Sequence, residues 1–302
     1  MLTKSPYIIG FCLVFTLLSW GFFGHRTIAE WGIYALPDPL FEVYHPHQTY
    51  LIERSVFPDV RKNADPDEYC RHYIDLEHWD TVDLSVNYAD TCLKEGTLPW
   101  VILKQYKALV YSFRSQNAHA VLRYSGDLAH YASDLCVPLH TTENYDGQLT
   151  SQEGIHALWE THLLEQNDWK YQYYGIHADT IKFLDRRIKA ELEHSHGLVT
   201  TLLDVHSETK QTLKDDTYGY FERKGRRKEG YSQIFMDAYE QKIGSMIEDQ
   251  LRRSVQLTTD LWFSAWIESN VSDLEFLKSQ FLNSETDKMI SPLGGVNPRN
   301  HE

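Results

Sequence analysis

The sequence predicts an all-α fold, a single-domain helical bundle with long functional loops. Three observations predict it. Apolar residues recur at helical spacing in several long runs, with charged residues between them. No stretch shows a strong strand-like alternation. The chain of 302 residues is 42% hydrophobic, which supplies enough apolar surface for one packed core.

Taken in order, residues 1–19 read as a targeting segment, with Lys4 as a minimal charged start, an apolar run and Ser19 as a small residue before the cut. The competing reading is an uncleaved membrane anchor over residues 6–23. Removal would export the chain to the periplasm or beyond and leave a mature domain over residues 20–283. It would also give Trp20 a free amino group. A terminal amine and its own carbonyl can chelate a metal in a five-membered ring, and His25 follows five residues later. With Cys12 removed, three cysteines allow at most one disulfide. Cys70 with Cys92 is the expected pair, because Cys136 lies among the candidate ligands and reads as core.

Helices are expected over residues 25–36, ended by the PDP that follows, and over 47–56. The next stretch, FPDVRKNADPDEYCRHYIDLEHWD, carries Asp59 in a Pro-bounded loop and His72 beyond it. Either could be structural alone, Asp59 as a cap or a partner of Arg61 and His72 as a satisfied core residue. His78 has no carboxylate at helical spacing and reads as structural. LPWVILKQYKALVYSFRSQ predicts an amphipathic helix over 98–116, leading into a second over 118–136.

That second helix opens the stretch around which the chain is organised, from Ala129 to Glu160. Residues four apart share a helix face, so His130 with Asp134 and His156 with Glu160 each form a two-ligand clip. Pro138, Asn144, Asp146 and Gly147 break the helix between them and leave a loop carrying His140. One such pair alone is usually a surface ion pair. Two pairs with a histidine between them predict a metal site, and imidazole nitrogen with carboxylate oxygen and no thiolate suits zinc.

Further helices are expected over 178–193, 198–213, 232–255 and 258–270. His194 and His196 precede Gly197 at a helix end and read as a C-terminal cap interaction. The basic cluster Lys224, Arg226, Arg227 and Lys228 reads as a solvated loop, with phosphate steering as the alternative. Residues 284–302 are polar, contain two glycines and two prolines, and read as a poorly ordered tail. The formal charge of -14 argues against a nucleic-acid binder that works through a basic surface, although bound divalent ions would reverse that balance locally. The chain shows no internal repeat, no phosphate-cradling glycine loop and no G-x-S-x-G elbow.

Trp20, His25, Asp59, His72, His130, Asp134, His140, His156 and Glu160, in this order and spacing, resemble the zinc-dependent phospholipase C and S1-P1 nuclease superfamily. WGFFGH looks like the nuclease branch, whereas HALWE, ending on Glu160, looks more like the phospholipase branch. The resemblance implies an all-α fold holding three zinc ions. One would lie between Asp59, His72, His130 and Asp134. A second would share Asp134 as a bridge and add His25 with the amine and carbonyl of Trp20. A third would take His140, His156 and Glu160. It implies a hydrolase in which a zinc-activated water attacks a phosphodiester, with Asp59 orienting or deprotonating that water.

The leading expectation is action on single-stranded nucleic acid, with phospholipase C action on phospholipid headgroups as the alternative and a non-catalytic zinc-stabilised binding module as a further one. Tyr145, in the loop beside the cluster, could stack on a base or meet an acyl chain. No obligate protein partner is indicated.

Overall fold

In the computed structural model, which describes residues 21–223 and 226–281, the chain is all-α apart from one hairpin. The leader expected over 1–19, Trp20 and the tail expected over 284–302 lie outside the described residues. The chain begins with α1 (Gly21–Tyr34), continues through the short helices α2 (Leu40–Tyr44), α3 (Gln48–Arg54) and α4 (Phe57–Arg61), and reaches the long pair α5 (Leu98–Arg114) and α6 (Ala118–Leu135). A helix with a π-helical middle follows: α7 (Ile155–Ala157), the π segment Leu158–His162, and α8 (Leu163–Asn167). Then come α9 (Leu184–Gly197), α10 (Val199–Leu213), strands β1 (Tyr218–Arg223) and β2 (Arg226–Tyr231), α11 (Gln233–Ser269) and α12 (Glu275–Phe281).

The bundle forms because α6 and α11 bring apolar faces to each other and to both α1 and α5. Trp100, Phe113, Tyr131 and Trp262 are among the side chains fully enclosed at their centre. The indole of Trp262 donates to the Ser125 carbonyl at 2.9 Å, so its polar atom is satisfied inside the core. A second apolar cluster, around Trp159, Leu163, Phe235 and Tyr239, lies under the other end of α11.

The structure departs from expectation at several places. The helix expected over 178–193 starts only at Leu184. Side chains of α11 pin the preceding backbone instead: Asp179 N–H donates to Asp260 Oδ1 and Ile181 N–H to Ser264 Oγ, each at 2.8 Å. The helices expected over 232–255 and 258–270 are one continuous α11 of 37 residues, about 55 Å at 1.5 Å rise per residue. Gln256 and Leu257 between them include neither Gly nor Pro, so nothing stops propagation. Its start is capped by Ser232 Oγ, which accepts from Phe235 N–H at 3.1 Å.

Of the residues read as a solvated basic loop, Arg226, Arg227 and Lys228 lie in the second strand of an antiparallel hairpin, with Tyr218 paired to Tyr231 and Arg223 to Arg226, and Lys224 lies outside the described residues. At its base Tyr218, Tyr231 and Phe235 stack in sequence, which anchors the strands to α11. His194 and His196 do not cap α9. His194 Nε2 meets Gln250 Oε1 at 3.0 Å, and His196 Nδ1 meets the Thr141 carbonyl at 2.9 Å, so both tie α9 to its neighbours. Cys70 is bonded to Cys92, and Cys136 is buried and free, as expected.

Candidate metal centre

Eight of the expected ligands come together from six segments. His25 lies on α1, Asp59 on α4, His130 and Asp134 on α6, and His156 and Glu160 on the α7 and π-helical turns. His72 ends the 3-10 turn Pro66–Arg71, and His140 sits in the 3-10 turn Pro138–Thr141. All eight are buried. Their ligand atoms gather into three groups: Asp59, His72 and His130; His25, His130 and Asp134; and His140, His156 and Glu160.

In the first group, His72 Nδ1 lies 3.0 Å from His130 Nε2 and 3.8 Å from Asp59 Oδ1, and His130 Nε2 lies 3.8 Å from the same oxygen. Asp134 Oδ2 closes the cage, 2.9 Å from His72 Nδ1 and 3.3 Å from His130 Nε2. These separations bracket the edge of about 3.3 Å expected between ligands of a tetrahedral zinc. The other oxygen of Asp134 turns the opposite way, toward His25 Nε2 at 3.6 Å. One carboxylate therefore faces two groups. In the third group Glu160 offers Oε1 to His140 Nε2 at 3.1 Å and Oε2 to His156 Nε2 at 3.0 Å.

Hydrogen bonding outside the cage fixes which nitrogens point inward. His130 Nδ1–H donates to the Ser55 carbonyl, His140 Nδ1–H to the His72 carbonyl, and His156 Nδ1–H to the Tyr145 carbonyl. His25 Nδ1–H donates to Ser133 Oγ, whose own proton goes to the His130 carbonyl. Each of these rings thus turns an Nε2 lone pair toward carboxylate oxygens. Acceptor then faces acceptor in a buried site, a costly arrangement that a metal ion or a second ring proton between them relieves. Consistent with that, Asp134 Oδ1, His156 Nε2 and both oxygens of Glu160 are buried without a hydrogen bond. The donor set fits zinc.

Burial works against every charge here. It drives the imidazolium of His25 down to about 3. Burial would likewise raise Asp134 and Glu160, but the imidazoles facing them hold both carboxyls below the usual range.

Local sequence explains the positioning. Gly147 has φ +73, where a Cβ would also meet Gln152 at 2.6 Å, so the loop can turn back on itself. Asp146 Oδ1 then accepts from the Gly154 and His156 amides at 3.0 and 3.2 Å and caps the start of α7. The Asp146 cap was visible in the sequence only as a turn former.

A cleft of about 390 Å³ opens over the centre. His72, His140 and His156 form part of its floor, and Tyr69, Tyr73, Tyr145 and Leu149 stand among its walls. Tyr145 is 38% exposed and sits edge-on to His156. Three cleft-side groups escape the sequence reading. Lys62 Nζ lies 2.8 Å from Asp59 Oδ1 and reaches the cleft. Burial alone would lower its ammonium, but Asp59 and Asp134 hold it above the ordinary lysine value. His78, read as structural for want of a carboxylate at helical spacing, pairs with Glu143, 65 residues away, at 2.9 Å on the rim. Asp75 is pushed up to about 6 by burial and by Glu77. Only the helical register of Lys62, one turn after Asp59, offered a signal. Trp20, which adjoins α1, lies outside the described residues.

No family model matches the chain, and no curated protein matches it. Among solved structures, alpha-toxin of Clostridium perfringens, isolated from avian strain SWCP, is similar with a TM-score of 0.48 at 18% identity, covering 85% of this chain. The chain spans 63% of that structure.

Proposed function

We propose that this chain is a zinc-dependent phosphodiester hydrolase acting on single-stranded nucleic acid, with up to three zinc ions and Trp20 completing the site at His25 and Asp134. The observation that carries the reading is the inward convergence of imidazole lone pairs and carboxylate oxygens at a cluster whose His72, His140 and His156 line a cleft. Zinc, when bound there, supplies a water acidic enough to attack at neutral pH and positive charge for the phosphoryl oxygens.

The chain's own groups do the rest. Asp134 and Glu160 orient the imidazoles, and Asp59, a member of the first group, accepts the proton of the attacking water. Lys62 places a fixed ammonium beside Asp59, where it can hold a phosphate oxygen. The walls favour a polynucleotide over a lipid. Tyr69, Tyr73 and Tyr145 offer rings for unstacked bases, with Lys94, Asp75, Glu95, Glu143 and Gln148 among them, and among the described residues the aliphatic lining is Leu139 and Leu149.

Phospholipase C action is the second reading, favoured by Leu149, which is 63% exposed on the same wall. Purified chain with added zinc is assayed against single-stranded DNA, RNA and phosphatidylcholine vesicles. Cleavage of the polynucleotides is expected. Headgroup release without strand cleavage moves the assignment to the second reading, and inertness toward all three leaves a closed, structural zinc module.

A further inference from the structure

We infer that Glu68 is a positioning residue which fixes His72 with its Nδ1, rather than its Nε2, as the metal-facing atom. The inference rests on the zinc reading above and concerns a residue outside the expected ligand set. His72 is the exception among the five imidazoles. His25, His130, His140 and His156 are each held through Nδ1 and turn Nε2 inward. His72 is reversed: Nδ1 faces Asp134 Oδ2 at 2.9 Å and His130 Nε2 at 3.0 Å. Its Nε2 is buried, makes no hydrogen bond, and faces Glu68 Oε1 at 3.6 Å.

Two arrangements of a neutral His72 compete. With the proton on Nδ1, the ring donates to Asp134 and leaves an Nε2 lone pair against the Glu68 carboxylate, which is repulsive. With the proton on Nε2, the ring points N–H at Glu68 and frees Nδ1 for a metal. A carboxylate behind a ligating imidazole selects the second arrangement and strengthens the ligand.

Glu68 is built to stay ionised and still. It is 1% exposed, one helical turn before His72, and accepts from the Tyr131 hydroxyl, from Arg61 at 3.3 Å and from Arg71 at 2.5 Å. Arg61 continues to Asp127, which Arg54 grips with two hydrogen bonds at 2.8 and 3.0 Å. The carboxylate is thus braced from three directions, with its remaining reach toward His72.

The test is zinc affinity by chelator competition together with long-range 1H–15N spectra of histidine-labelled, zinc-loaded protein. In the wild type, His72 is expected to carry its proton on Nε2 while His130, His140 and His156 carry theirs on Nδ1. Glu68→Gln should weaken one zinc equivalent by about 10- to 100-fold and disturb the His72 signals alone. Tyr131→Phe, which loosens the same network without removing the carboxylate, should keep zinc affinity within about threefold.

A His72 proton on Nδ1, unchanged affinity in Glu68→Gln, or an equal loss in Tyr131→Phe overturns the role of Glu68 while leaving the zinc reading intact. A wild type that takes up no zinc overturns both. Should Glu68→Gln not fold, Glu68→Asp, with the charge kept but the reach shortened, is expected to lose affinity for the same equivalent, and unchanged affinity there also overturns it.

Discussion

Asp134 Oδ2 and His72 Nδ1, 62 residues apart in the chain, meet at 2.9 Å in the middle of the buried cluster. The other oxygen of Asp134 faces His25 at 3.6 Å, so this carboxylate is placed to serve two cations. Asp134→Asn keeps the shape but turns one anionic acceptor into an N–H donor aimed at an imidazole lone pair or at a cation. Turnover should fall by roughly 100-fold or more and at least one zinc equivalent should be lost. Metal counting and steady-state assays check this, and wild-type zinc content with wild-type turnover would rule out the bridge.

Metal binding and folding should be coupled. Three buried carboxylates facing imidazole lone pairs are costly without cations, so zinc-loaded protein should unfold at a markedly higher temperature than chelated protein. At a free zinc concentration about 1,000 times Kd, the gain per site is about 4 kcal/mol. Protons compete for the same lone pairs, so this difference should shrink as pH falls. Calorimetric scans with and without chelator give the answer, and coincident melting curves would mean that the cluster is held by protons alone.

If Lys62 holds the substrate phosphate as proposed, its replacement should separate substrate binding from metal binding. Its ammonium contacts Asp59 at 2.8 Å but is not a metal ligand. Lys62→Met should leave zinc content unchanged and lower kcat/KM by roughly 100- to 1,000-fold, the range expected when one charge-stabilising donor is removed. Loss of zinc in this variant would instead make Lys62 a scaffold for Asp59.

What the sequence reveals of this centre follows from range. The clips His130/Asp134 and His156/Glu160 are local, set by helical pitch, and the loop between them is marked by Pro138 and Gly147. These are legible without coordinates. Ser55, Tyr131 and Ser133 act across the chain, on residues with which they share no pattern. Glu68 was legible in principle, being an acid four residues from His72, though in the reverse order of the two clips, but it sits in a 3-10 turn that periodicity does not flag. The hairpin was hidden for a different reason: the charges of RKGRRK mask the aromatic alternation of Tyr218 and Tyr220. The full length of α11 needed only the observation that Gln256 and Leu257 are compatible with helix.

Acid sensitivity should also arise away from the metals, at His206. Its ring is enclosed by Tyr231, Phe235 and Tyr239. Gln152 Nε2 donates to His206 Nδ1 at 2.9 Å, and His206 Nε2–H donates to the Tyr231 hydroxyl at 2.9 Å, whose proton goes on to the Glu153 carbonyl. The neutral ring satisfies both partners, whereas a second ring proton would face the Gln152 amide hydrogens. Burial accordingly lowers His206 to about 4, against 6.5 for an ordinary histidine.

Because the folded value is the lower one, the unfolded chain binds the extra proton first. The contribution is complete above about pH 6.5 and is lost as pH falls toward about 4. Linkage puts the loss at about 2 kcal/mol by pH 5. His206→Gln, which cannot titrate, should be less stable than wild type at pH 7.5 but should lose about 2 kcal/mol less between pH 7.5 and pH 5, measured by urea unfolding at matched zinc. Equal losses in the two proteins would show that His206 takes no part in the acid transition.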